Sequence, residues 1–410
     1  HASGVVITAK PLTELCPVMI REKNKDMQTA MWDMQMLDSC GFLKIDLLGL
    51  ESLDVINDCL DLIKQKKGIE IDWKNVPLND KKVMELFQRG NTTGVFQFDY
   101  GKELQRWASK FKPKDFSDIC ALTALARPGA KAFLETYQIN RDKDESHIIA
   151  PDPDALKILK DTNYVVAYQE QQMALSRVLA GFSLKEADNL RKIIAKKKID
   201  KLEEMRLKFQ DGYIKQHSDK MSQEQAAAKA NDVWNEYFAS CSYTFNKSHA
   251  VSYSVTTYAM AWLKTYYPVE FMCSVLNHNN DGKRDKLLPY ILETIKMGIE
   301  FAPPSWEYPC YDFEICLGNP NKIRAGISSI KGLSKADYET LQKFGMNDAM
   351  MKELNKNKYE ALINSGFFDG FGSTNRAEKI NNIVRYREWV VAKEEYEARK
   401  DKYAASIARY

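Results

Sequence analysis

Lys44 and Asp46 stand two apart in Gly41-Phe42-Leu43-Lys44-Ile45-Asp46-Leu47-Leu48, a run that alternates as a strand does. That spacing predicts both charges on one face, with Leu43, Ile45 and Leu47 pointing the other way into a core. A carboxylate beside an ammonium suits a metal-held phosphate, the Asp binding the cation and the Lys the phosphate oxygens. The same pair also reads as a surface ion pair on an edge strand, which contributes little.

Four further strings carry candidate chemistry. Residues 191–201 (RKIIAKKKIDK) hold six cations against one acid. On a helix, Arg191, Lys192, Lys196, Lys197 and Lys198 form a positive face, either a phosphate track or a solvated surface. In Tyr164–Gln172 (YVVAYQEQQ), Tyr168 falls at a strand-to-helix change, where an aromatic either joins the core or stacks on a base. Thr244–Ala250 (TFNKSHA) is a polar string before a long helix rich in Tyr and Trp, with Ser248 as a plausible N-cap. Lys247 and His249 at that helix start could face phosphate, or simply accompany the cap. Finally, Ile327–Ala336 (ISSIKGLSKA) follows a helix-hairpin-helix pattern, in which a G-h-G turn lends backbone N–H groups to a DNA phosphate. Lys331, Gly332 and Lys335 fit it. Ser334 stands where the second glycine belongs, so a plain helical connection is the rival reading.

The elements that must position these residues are mostly helical. A short β-branched run opens the chain, and after Leu50 the spacing of Leu53, Ile56, Leu60 and Ile63 predicts a helix. Helices with short loops continue to about residue 300. The cleanest breaks are Arg141–Ser146 and Asn277–Lys283. Residues 301–322 mix prolines with aromatics and read as a linker with one or two strands. The last 30 or so residues read as a charged amphipathic helix with Ile383, Tyr386 and Val390 on one stripe. No internal repeat is evident.

Composition narrows the function. A chain of 410 residues with 44% apolar, 28% charged and 11% aromatic residues is that of a folded protein rather than a disordered one. No uninterrupted apolar run reaches the roughly 18 residues of a spanning helix. The net charge of +3 does not announce a nucleic-acid binder, so such a role rests on local patches. Eight cysteines without a CxxC pair and five scattered histidines suggest neither a zinc site nor a disulfide scaffold, and fit a reduced, cytoplasmic setting.

The order of the strings adds more than any one of them. HASGVVIT, LKIDLLGL, NTTGVFQFD, ALARPG, VAYQEQQMA, AGFSLKEADNLRK, FNKSHAVSY, LKTYYPVEFM, IRAGISSIKGL and EALINSGFFDGFG follow one another from His1 to about Ala377. In this the chain resembles the C-family polymerases, the bacterial replicative DNA polymerase III α subunits. The resemblance implies a mostly α fold with a small α/β portion: the end of a palm (1–52), a helical fingers domain (53–325) and a helix-hairpin-helix region (326–377), followed by the charged helix (378–410). It implies template-directed addition of deoxynucleotides to a primer 3′ end by two-metal phosphoryl transfer. Asp46 is then a palm carboxylate holding Mg²⁺. Lys44, Tyr168, Arg191 and Lys192 meet the incoming dNTP, and Lys192 replaces the family's second arginine, keeping its charge without the planar fork. Lys196–Lys198, Lys247, His249, Lys331, Gly332, Ser334 and Lys335 face DNA.

The family's other two metal-binding aspartates lie upstream of the HASG string. The resemblance therefore implies that the chain alone is inactive and works with the remainder of the polymerase, primer–template DNA, dNTPs and a sliding clamp. A split gene, a phage-type polymerase or a trimmed chain would each account for this. The alternative is a non-catalytic DNA-binding module derived from polymerase fingers.

Overall fold

The computed structural model describes residues 4–21, 24–127, 129–144, 147–148, 150–195, 199–238, 243–280, 284–344, 354–369, 375–378, 380, 385, 392–393 and 395–400. The chain divides into two compact units, His1–Asp54 and Val55–Tyr410. The fold is mostly helical with a few short strands.

The first unit holds β1 (Gly4–Ile7), α1 (Leu12–Leu15), β2 (Val18–Arg21), β3 (Asn24–Ala30), α2 (Met34–Ser39) and β4 (Leu43–Asp46). β1 pairs antiparallel with β4 and β2 with β3, as two separate two-stranded ladders. In the first ladder Val5 faces Ile45 and Ile7 faces Leu43, so these four share one face, while Val6 and Lys44 share the other. The expected core behind β4 is absent: Leu43, Ile45 and Leu47 are 58%, 39% and 67% exposed. Alternation predicts which side chains share a face, but a two-stranded ladder has no second layer of its own to bury them.

The helical unit continues from α3 (Glu51–Lys67), which buries Val55, Ile56, Cys59 and Ile63 along one stripe. After it come α4 (Lys81–Gln88), α5 (Glu103–Phe111), α6 (Phe116–Leu125), α7 (Lys131–Arg141), α8 (Pro153–Leu159), α9 (Gln169–Ala180), α10 (Leu184–Ala195), α11 (Ile199–His217) and α12 (Gln223–Tyr237). Then follow α13 (Lys247–Tyr266), α14 (Pro268–His278) and α15 (Arg284–Lys296). α6 is apolar nearly all round and packs under α13, where it buries eight consecutive residues, Asp118–Leu125. α8 to α12 enclose a second core of Leu175, Phe209, Tyr213 and Trp234.

The strands expected within 301–322 are present, but they belong to a folded sheet rather than a linker. β5 (Glu300–Ala302), β6 (Glu314–Ile315) and β7 (Lys322–Arg324) form one sheet in the order β5-β7-β6, with Phe313, Ile315 and Ile323 buried. The prolines lie between the strands, where no ladder N–H is needed. A third core joins α16 (Lys335–Phe344) to α17 (Lys356–Ser365) through Leu341, Tyr359 and Leu362. The first element of the expected hairpin is a single 3-10 turn, Ile327–Ser329. The stripe of Ile383, Tyr386 and Val390 lies outside the described residues.

Candidate functional site

The helical unit gathers its candidate residues where α9 and α13 begin. The strand-like Val165–Tyr168 leads into α9 and is held by the buried Gln171. Its Oε1 accepts from the N–H groups of Ala167 and Tyr168 at 3.0 Å each, and its Nε2 donates to Thr162 Oγ1 at 2.7 Å. Tyr168 then forms a parallel bridge with Phe245. The Gln169 N–H donates to the Phe245 carbonyl (2.9 Å), and the Phe245 N–H to that of Ala167 (3.0 Å).

That bridge sets the start of α13. Asn246, not Ser248, is its N-cap: it has extended backbone, and its Oδ1 accepts from the His249 N–H at 2.8 Å. The chain leaves the bridge extended at Asn246 and turns helical at once, so Ser248 is already inside the first turn. Glu170 in the first turn of α9 accepts from the Lys247 N–H (2.9 Å) and from Asn246 Nδ2 (3.3 Å). The two helix starts are thereby tied side by side.

Around this junction the Lys247 ammonium lies 5.8 Å from the centre of the Tyr168 ring. His249 stacks on Tyr253 at 4.0 Å and meets the Phe245 ring edge-on. The Tyr168 ring is buried, a wall of the site rather than an open platform. Burial, foremost among the causes, raises its phenol far above the usual range, so it holds its proton.

Arg191 enters from α10. Gly181 ends α9 in left-handed conformation (φ 68°), and Ser183 and Glu186 exchange hydrogen bonds that start α10. Arg191 Nη1 then donates to Gln169 Oε1 at 3.2 Å, while its Nε and Nη2 donate to Asp188 Oδ1 at 3.0 and 2.8 Å. Lys192 Nζ sits 2.7 Å from Asp188 Oδ2. The hydrogen bond from Lys192, then that from Arg191, holds the Asp188 carboxyl below the usual carboxylate range. Lys196–Lys198 lie outside the described residues.

One member of the cluster escaped the sequence reading. Arg127, in the ALARPG string, places its guanidinium 4.4 Å from the centre of the Phe245 ring. Its Nε donates to the Ala124 carbonyl and its Nη2 to that of Tyr243, both at 2.8 Å. Gly129 makes room for this: its φ is 87°, and a Cβ there would sit 2.3 Å from the Tyr243 ring. The signal available in sequence was an arginine directly before Pro-Gly.

The other candidates stand elsewhere. Lys331 and Gly332 form an exposed turn, with Gly332 at φ 92° and open space around it. The Ser334 hydroxyl is engaged: it and its own N–H donate to Asp337 Oδ2 at 2.8 Å, capping α16. Lys335 is the exposed first residue of that helix. In the strand unit, Asp46 is not an unpaired carboxylate, because Lys44 Nζ lies 2.5 Å from its Oδ1. Two long-axis side chains on one strand face reach each other without further help.

No group of three or more His, Cys, Asp or Glu side chains among the described residues could hold a metal ion. No helix among them is long and apolar enough to cross a membrane.

Comparison with known proteins adds an independent line. Residues 52–217 match the bacterial DNA polymerase III alpha subunit finger domain, and residues 1–49 the bacterial DNA polymerase III alpha NTPase domain. The chain is 36% identical over 407 residues to DNA polymerase III subunit alpha of Aquifex aeolicus, covering 96% of this chain and 34% of that protein. It is 34% identical to that of Bacillus subtilis (93% of this chain, 34% of that one). For Thermus aquaticus the identity is 33% (95% and 32%). The chain thus spans about a third of the length of these relatives.

Proposed function

Because the chain belongs to the bacterial DNA polymerase III α family, we propose that it is the nucleotide- and DNA-binding part of a replicative DNA polymerase. Together with the remainder of the polymerase, in a bacterial cytoplasm, it takes part in adding deoxynucleotides to a primer 3′ end. The observation that carries this reading is the Tyr168–Phe245 bridge, which brings Lys247 and Arg191 to one junction.

The chemistry of that junction is phosphate binding. A guanidinium has five N–H donors in a fixed fork. In Arg191 three are engaged by Asp188 and Gln169, which leaves two for an anion while its orientation stays fixed. Lys192 adds a point charge, and Lys247 a second from the α13 start. Tyr168 supplies a rigid wall. Phosphates are met by pre-placed donors, which is the main protein contribution to phosphoryl transfer. Lys44 is assigned to the incoming triphosphate. His249, Lys196–Lys198 and the Lys331–Lys335 turn are assigned to DNA, where contacts to phosphate position without reading sequence.

A divalent ion fits the described residues only in part. A two-metal site needs carboxylates that clamp both ions, whereas Asp46 offers a single one, already met by Lys44. Asp46 is therefore assigned as one Mg²⁺ ligand, with the others on the remainder of the polymerase.

The test is Arg191→Ala in the polymerase assembled with its remaining parts. The apparent KM for nucleotide should rise by about tenfold or more, equally for all four dNTPs, since phosphates carry no base identity. An unchanged KM, or an effect confined to one base, would remove Arg191 from the triphosphate site.

A further inference from the structure

Four shielded cations of the helical unit meet carboxylates. Arg141 is paired with Asp118 at 2.8 Å, Lys264 with Glu293 at 2.7 Å, Arg206 with Glu203 at 2.6 Å and Arg191 with Asp188 at 2.8 Å. Arg127 differs. Half-buried, it touches two carbonyl oxygens and the Phe245 ring, and among the described residues it has no acidic partner. Burial alone pulls its pKa below the ordinary guanidinium value. Arg141 is also desolvated, yet its pKa stands above that value because Asp118 faces it. A cation taken partly out of water with only neutral partners is costly unless an anion completes it.

The geometry is that of a held donor. The Ala124 and Tyr243 carbonyls take one N–H each, so three of the five remain. The plane lies against Phe245, the residue bridged to Tyr168, whose ring faces Lys247. We infer that Arg127 is a phosphate-binding residue, whose remaining N–H groups receive a phosphate of the nucleotide or of the nucleic-acid backbone beside Lys247. This rests on the reading of the α9–α13 junction given above. The competing account is a structural tie alone, joining α6 to the segment before α13.

The experiment uses the whole 410-residue chain and two probes, inorganic triphosphate and a primer–template duplex. The parent is compared with Arg127→Gln, Arg127→Lys and Arg191→Ala. Arg127→Gln should weaken one probe by about tenfold or more, while Arg127→Lys, which keeps the charge but loses the fork held by Ala124, Tyr243 and Phe245, should recover only part of that loss. Loss for triphosphate alone assigns the nucleotide. Loss for the duplex, with a salt slope lower by about one phosphate, assigns the backbone. Unchanged affinity of Arg127→Gln for both probes overturns the inference, and a lowered melting temperature with unchanged affinities is what a mere tie gives. Should Arg127→Gln not fold, phenylglyoxal labelling of the parent decides: protection of Arg127 by either probe supports the role and no protection overturns it. If Arg191→Ala loses affinity and Arg127→Gln does not, the reading of the junction stands and this inference falls. If neither variant changes either probe, both fall.

Discussion

Lys44 and Asp46 meet across two residues of one strand, whereas Glu170 reaches the Lys247 N–H across 77 residues of chain. The strand pair is solved locally, with Asp46 open to solvent and Lys44 partly shielded, on a ladder whose apolar face of Val5, Ile7, Leu43 and Ile45 is open. The α9–α13 junction is solved by the core. Gln171, the Phe245 bridge and the α6–α13 packing fix the backbone from which its cations project. A pair formed locally owes its chemistry to whatever is brought to it, whereas a site formed by a core is pre-organised before any ligand arrives.

The largest effect should come from the strand pair. Asp46→Asn removes one negative charge and leaves the ladder intact. In the assembled polymerase, primer extension should fall by roughly three orders of magnitude or more, with DNA affinity within about twofold. Activity within about tenfold of the parent would show that the pair is only a surface contact. That would also undo the contrast with the junction.

Next comes the frame behind the junction. Lys264, on α13, is 2% exposed, and its ammonium donates to Glu293 Oε1 and to the carbonyls of Asn91 and Thr93 at 2.7–2.9 Å. Lys264→Met strips the charge from Glu293 and two carbonyls at once. It should cost about 3–5 kcal/mol in denaturant unfolding, and Glu293→Leu added to it should recover part of that loss. A loss below about 1 kcal/mol would mean that water reaches Glu293 and that the frame is looser than its burial suggests.

What was legible in sequence follows the same division. Period-2 alternation located β4, and the stripe of Leu53, Ile56 and Ile63 located α3, because local spacing decides both. The exposure of Leu43 and Ile45 was not legible, since a period names a face and not what lies on it. Arg127 was not, because its Tyr243 partner is 116 residues away. Residues 301–322 read as a linker with one or two strands; the strands are there, but that they close into one sheet depends on β6 and β5 pairing with β7, which spacing does not show. Spacing picked out Tyr168, Arg191, Lys247 and His249 singly, and only the resemblance put Tyr168 and Arg191 at one nucleotide. That they share a junction follows from the bridge at Phe245, a contact between two short extended pieces that no helical periodicity predicts.

The smallest effect is also the sharpest test of how the junction is set. Sequence alone offers Ser248 as the cap of α13, while the structure gives the cap to Asn246, whose Oδ1 takes the His249 N–H and whose Nδ2 reaches Glu170. Loss of an N-cap side chain costs about 1 kcal/mol, and serine caps about as well as asparagine. Asn246→Ala should therefore lower stability by about that amount, and Asn246→Ser should restore most of it. Ser248→Ala should stay within about 0.5 kcal/mol of the parent, because the 248 side chain lies inside the first turn rather than at its start. Since Lys247 sits between the two, Asn246→Ala should also weaken phosphate binding by about two- to fivefold, roughly 0.4–1 kcal/mol. The reverse pattern, with Ser248→Ala destabilising and Asn246→Ala neutral, would place the helix start two residues later. Lys247 would then lie on the extended segment, free of the bridge that holds it beside Tyr168.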